Sequence, residues 1–199
     1  MLAIRRFWPA LVLGLLVCFV LAGCGKTVNL SEKRIDGIDS QITIALPGKA
    51  HELPLPVALD PLTQRYLKGQ RFYGEINQGL NIGIYTSTID ANQMYSDLGL
   101  DNGQDISYRL SQNIENAATA ILNKIDEENI SVKSETTSVS GEHAVLQTFT
   151  FTAGDKRMKA KLLGFSHNGA TWIILVACDV ESENVSAIDD IIESVHITK

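Results

Sequence analysis

The sequence predicts an α+β domain in which helices pack on a mostly antiparallel sheet of about six or seven strands. Three observations point there. Four strand-like runs follow one another over residues 130–180, joined by short turns bearing Gly, Asn and Asp, and such turns join antiparallel neighbours. Residues 107–129 and 184–195 instead repeat their apolar positions every three or four residues, the period of a helix with one buried face. The run Trp172-Ile173-Ile174-Leu175-Val176-Ala177-Cys178 is apolar on both sides, as a central strand covered on both faces must be.

Gln41-Ile42-Thr43-Ile44-Ala45-Leu46 alternates polar and apolar residues and is stopped by Pro47-Gly48, which marks a short half-buried strand. The prolines of Leu53-Pro54-Leu55-Pro56 remove donors and fix φ, so an extended surface connection follows. Two prolines are too common in loops to count as a ligand motif. Residues 70–77 and 80–89 carry aromatic and β-branched side chains and are split by Gln78-Gly79, a hairpin signal. Residues 90–105 are polar and contain Gly99, Asn102 and Gly103, which predicts a solvated loop. Asp97, Asp101, Asn102 and Asp105 do not fall at the spacing of a helix-loop-helix calcium loop. Over residues 107–129 the stripe is Leu110, Ile114, Ala117, Ala118, Ile121, Leu122 and Ile125. Asn184 is the expected cap of the closing helix.

This order of strand, hairpin, long helix, four-stranded meander and short final helix resembles the Mog1/PsbP/DcrB-like group of domains. Ile42-Thr43-Ile44-Ala45-Leu46-Pro47 is similar to the strand-then-proline opening of those domains. Ala170-Thr171-Trp172-Ile173-Ile174-Leu175 is similar to their late buried strand, and Ile191-Ile192-Glu193-Ser194-Val195 to their closing helix with its Ser. The likeness covers about residues 38–198 and is one of order and hydrophobicity. It implies an α/β/α sandwich and a binding or assembly role, with no shared catalytic residues, and a likeness of fold does not by itself supply a function.

The N-terminus resembles the signal of an exported bacterial lipoprotein. Arg5 and Arg6 precede an uncharged run over residues 7–23, which ends in Leu21-Ala22-Gly23-Cys24. A cationic start, an apolar middle and small residues before the cut make a secretory signal. A Cys directly after the small pair makes it a lipobox, with Cys24 the lipidated first residue of the mature chain. An uncut membrane anchor is the competing reading. Seventeen uncharged residues lie at the short end of what spans a bilayer, and Pro9 and Gly14 weaken that run as a helix. The expected organisation is a signal peptide over 1–23, a lipidated Cys and flexible tether over 24–40, and a single globular domain over 41–199. If flexible, the tether spans roughly 20–25 Å. The expected place is the outward side of the cell membrane, or the outer membrane where the host has two.

Charge and cysteine content narrow the function classes. Residues 1–23 hold two of the 17 Lys and Arg and none of the 23 Asp and Glu, so the mature chain carries a formal charge of −8. That balance argues against nucleic acid as a partner and against electrostatic adhesion to anionic headgroups. Of the three Cys, Cys18 leaves with the signal and Cys24 is consumed by lipid, so Cys178 is left with no disulfide partner.

No residue pattern marks catalysis, a cofactor or a metal. Cys178 lies in the most apolar strand and reads as a small buried hydrophobe. His51, His143, His167 and His196 are scattered, and Asp189-Asp190 reads as solvated. One stretch invites a partner. In Lys156-Arg157-Met158-Lys159-Ala160-Lys161-Leu162 the strand period puts Arg157, Lys159 and Lys161 on one face. They form either a basic interaction stripe for an acidic partner or lysines that discourage edge pairing. The expected function is a non-catalytic, membrane-anchored binding or assembly module with an envelope protein as partner. The alternative is a small-ligand-binding lipoprotein with a pocket between sheet and helix, and an enzyme ranks third.

Overall fold

Two-residue hairpin turns organise the chain. Gln78-Gly79, Ser140-Gly141 and Asn168-Gly169 each place both residues at positive φ, 49° and 82°, 50° and 91°, and 50° and 78°. Turns of that kind match the right-handed twist of the strands they join. The computed structural model describes residues 28–54, 61–99 and 131–198. They form β1 (Ser31–Asp36), β2 (Gln41–Leu46), β3 (His51–Glu52), α1 (Pro61–Tyr66), β4 (Leu67–Asn77), β5 (Leu80–Ile89) and α2 (Ala91–Leu98). The later elements are β6 (Ser131–Val139), β7 (Glu142–Ala153), β8 (Lys156–His167), β9 (Ala170–Asp179), α3 (Ala187–Glu193) and β10 (His196–Thr198).

The α+β class and the mostly antiparallel sheet are what the structure shows. The main sheet has seven strands in the order β3-β4-β5-β9-β8-β7-β6, and every neighbour pair in it is antiparallel. The doubly apolar run is β9, fourth of the seven. Trp172, Ile174, Val176 and Cys178 are buried on one side and Ile173, Leu175 and Ala177 on the other.

A second sheet, β1-β2-β10, was not expected. With α3 it covers the Trp172 face, where Ile42, Ile44, Leu46, Ile188 and Ile191 join Ile82, Ile84, Phe165 and Trp172 in one core. The layer on this face is therefore a helix beside a small sheet rather than helices alone. The β1–β2 turn closes over Trp172. Its ring stacks on Phe165 at 6.4 Å between centroids and 11° between planes, and its Nε1–H donates to Ser40 Oγ at 2.8 Å. Gly37 lies so close that a Cβ there would meet the indole at 2.5 Å and the Ser40 carbonyl oxygen at 2.6 Å.

Several local expectations need correction. The flexible tether over 24–40 contains β1, paired along its whole length with β2. Only Ile35 of β1 is a buried apolar residue, so no periodic signal reveals the strand. The polar stretch after Asp90 is in part helix α2, whose first turn is capped by Asp90 accepting from the Gln93 N–H at 3.0 Å, while Gly99 ends it at φ 63°. Asn184 does not cap the closing helix, which begins at Ala187 after Ser186, and it makes longer-range bonds instead. Past that helix the chain pairs again as β10 against β2. The amphipathic segment 107–129 lies outside the described residues.

Candidate functional site

Strand β8 sits between β9 and β7, so it is interior to the sheet and its lysines guard no edge. Its alternation is as expected, with Met158, Ala160 and Leu162 buried on one side. On the other, Arg157, Lys159 and Lys161 stand opposite Thr152, Thr150 and Thr148 of β7, and Lys133 of β6 follows beside Thr148. Cross-strand partners project to the same face. This polar strip continues the face that α3 covers farther along.

Two of the three basic residues are already engaged. Asp189 in the first turn of α3 lies 2.7 Å from Lys161 Nζ and 3.3 Å from Lys159 Nζ. Lys161 is 15% exposed and Lys159 28%, against 40% for Asp189. Burial alone pushes the Asp189 carboxyl up, but the two ammonium groups outweigh it and hold the carboxyl below the usual range. Asp189 was expected to be solvated, and its partners, thirty residues away and less, are invisible to local spacing. Arg157 remains exposed, and its carbonyl accepts from the Val180 N–H at 2.9 Å. Lys133 pairs with Glu135 at 2.7 Å and, ahead of Lys161, holds that carboxyl low.

The Asp189 cluster is half-buried, so its worth lies between an exposed ion pair and an interior one. Asp189→Ala is expected to cost about 1–2 kcal/mol at pH 7. Pairing lowers the folded-state pKa, so the contribution is present above the unfolded value of about 3.9 and is lost as pH falls through the folded value. Urea melts at pH 7 and pH 3 should show the gap between variant and parent narrowing on acidification. A gap that stays constant would remove Asp189 from that role.

The remaining polar groups are tied into the fold. Cys178 is fully buried, and that burial pushes its thiol up, which opposes formation of the nucleophilic thiolate. His167 Nδ1 lies 2.8 Å from Glu142 Oε1, and its Nε2 lies 3.0 Å from the Asn168 amide. Asp97 takes Arg65 at 3.0 Å and the Tyr66 hydroxyl at 3.1 Å, joining α1 to α2. Glu75 is the buried charged side chain among the described residues, and burial pushes its carboxyl up despite the Asn77 bond. No group of three His, Cys, Asp or Glu suited to a metal occurs among the described residues.

Asn184 is the residue that sequence reasoning misassigned. It is 3% exposed, accepts from the Val28 N–H at 2.9 Å and donates to the Gln78 carbonyl at 2.9 Å. It thereby clasps the start of the described chain to the β4–β5 turn. Cys24 lies outside the described residues. Among those described, no helix is long and apolar enough to cross a membrane.

No protein-family model matches the chain, and no curated protein sequence matches it. Solved structures do resemble it. LpqN, involved in cell envelope biogenesis of Mycobacterium tuberculosis, overlaps 89% of this chain and 100% of its own at 13% identity and a TM-score of 0.42. A Pseudomonas aeruginosa protein of unknown function, PA94, a putative regulator, overlaps 76% of this chain and 84% of its own at 11% identity and a TM-score of 0.34. Likeness at that level says nothing about this chain's partners or activity.

Proposed function

We propose that this chain is an exported lipoprotein whose domain serves the cell envelope as a non-catalytic binding or assembly module. The observation that carries the reading is Leu21-Ala22-Gly23-Cys24 at the end of an uncharged run that follows Arg5 and Arg6. Two or three acyl chains on Cys24 anchor stably, since each buried methylene contributes about 0.8 kcal/mol. Support for a binding role comes from the use of the polar residues. Asp97, Asp189 and Glu142 face structural partners, while Arg157 stays exposed on the polar strip that it forms with the threonines of β7. An acidic surface of another envelope protein is the partner that this strip suits.

The test is the fate of residue 24. The wild-type chain is expected in the membrane fraction, with an intact mass that lacks residues 1–23 and includes acyl groups. Cys24→Ser is expected to lose both the acyl mass and the cut. A wild-type protein that keeps its first residues, or carries no acyl mass, rules the lipoprotein reading out.

A further inference from the structure

From the clasp at Asn184 we infer that the domain is held with one defined end against the lipid surface, the end bearing Val28, Asn184 and the Gln78-Gly79 turn. The inference rests on the lipoprotein reading and adds to it which surface meets the membrane. If Cys24 carries the lipid, three residues separate it from Val28, and the four Cα–Cα steps between them reach at most about 14 Å when fully extended. Val28 is not free to extend the reach, because its N–H is bonded to Asn184 Oδ1 and Asn184 is bonded to Gln78. Val28, Leu30 and Val185 also pack against the core. The tether is therefore a short leash fixed to a rigid point, rather than the sixteen-residue flexible spacer that the polar stretch 25–40 suggests.

The sheet topology says which end that is. The β4–β5 turn, the exit of β9 at Asp179 and the β7–β8 turn lie together, since Asn81 pairs with Ala177 and Met158 with both Asp179 and Phe151. The opposite end holds the β6–β7 and β8–β9 turns, with Ala144 beside Phe165 and Phe165 beside Trp172. The ten residues of β9 run between the two ends and span about 30 Å. Charge does not drive the docking. Arg157 and Lys156 at the leashed end stand with Asp179, Glu181 and Glu183, so chain length sets the proximity. A lipid headgroup layer is the occupant, because acyl chains on Cys24 would sit in it and about 14 Å of chain cannot carry the clasped end far from it.

The full-length protein is purified from membranes and reconstituted in vesicles of phosphatidylethanolamine and phosphatidylglycerol that carry an acceptor dye on a fraction of the headgroups. A donor dye is attached at Glu183→Cys, beside the clasp, or at His143→Cys, at the opposite end. Both positions are exposed, and the unsubstituted protein reports any labelling of the buried Cys178. With about 30 Å between the ends, transfer from Glu183→Cys is expected to be at least about twofold that from His143→Cys. Ten Gly and Ser residues inserted after Lys26 are expected to bring the ratio towards one. Equal transfer in the acylated protein, or a ratio unchanged by the insertion, overturns the leash while the lipoprotein reading stands. Intact mass on the same samples separates the cases, since an unacylated protein removes the lipoprotein reading and the leash together.

Discussion

Trp172→Ala is expected to destabilise the domain by about 3–5 kcal/mol, the usual cost of truncating a large aromatic in a filled core. The indole is fully buried near the start of β9, and three kinds of contact are lost with it. The stacking on Phe165 goes, the Ser40 hydroxyl loses its donor, and the β1–β2 turn no longer has a surface to rest on. Since domains of this size are stable by roughly 5–15 kcal/mol in total, the variant should unfold at markedly lower urea. Trp172→Phe keeps the ring stack and loses only the Ser40 bond and part of the volume, so it should fall between. A midpoint for Trp172→Ala that matches the parent would mean that the small sheet does not depend on this ring.

Gly37→Ala should be the second most damaging change, at about 1–3 kcal/mol or slightly more. The added methyl meets a backbone carbonyl at 2.6 Å and an indole carbon at 2.5 Å, and neither can retreat cheaply. The carbonyl belongs to Ser40 and is held by the Gly37 N–H at 2.8 Å. The indole is fixed by its stack and its own bond. Because both substitutions act on one contact, their costs should not add. In a Trp172→Ala background the methyl finds part of its clash gone, so Gly37→Ala should cost measurably less there. Strict additivity in a double-mutant cycle would show that the turn and the ring are independent. Such a result would place the strain of the alanine at Ser40 alone.

The β1–β2 turn also shows why the small sheet escaped detection. A strand is legible when apolar residues alternate over several positions, as in Gln41–Leu46. Strand β1 buries little beyond Ile35 and turns Glu32 and Arg34 outward. Strand β10 has three residues, none of them buried. Each exists because β2 is already in place to supply hydrogen bonds, which is a long-range cause. Helix α2 was missed for a different reason. Its ends carry local signals, Asp90 as cap and Gly99 as stop, but its polar surface resembles a loop where the neighbouring residues are polar as well.

At the candidate site the division is similar. Alternation alone put Arg157, Lys159 and Lys161 on one side of a strand, because the side-chain period of a strand is covalent geometry. Whether those charges were free depended on Asp189, which α3 brings over β8. The two-residue turns were legible from an equally local signal, the Gly at positive φ that each of them contains, whereas the positive φ of Gln78 and Ser140 carried no such signal. The role of Asn184 was not, because its side chain reaches Val28 and Gln78 across 156 and 106 residues of sequence.

The sequence by itself therefore determined the strands of the main sheet and the doubly buried run at its centre, which depend on neighbours a few residues apart, and the proposed export motif at Cys24 rests on the same kind of local pattern. Only the tertiary structure decided that Lys159 and Lys161 face a carboxylate, that residues 31–36 of the supposed tether form a strand, and that the chain is clasped at Val28. Those outcomes depend on which distant surfaces meet, and no local period encodes a contact made across the sheet.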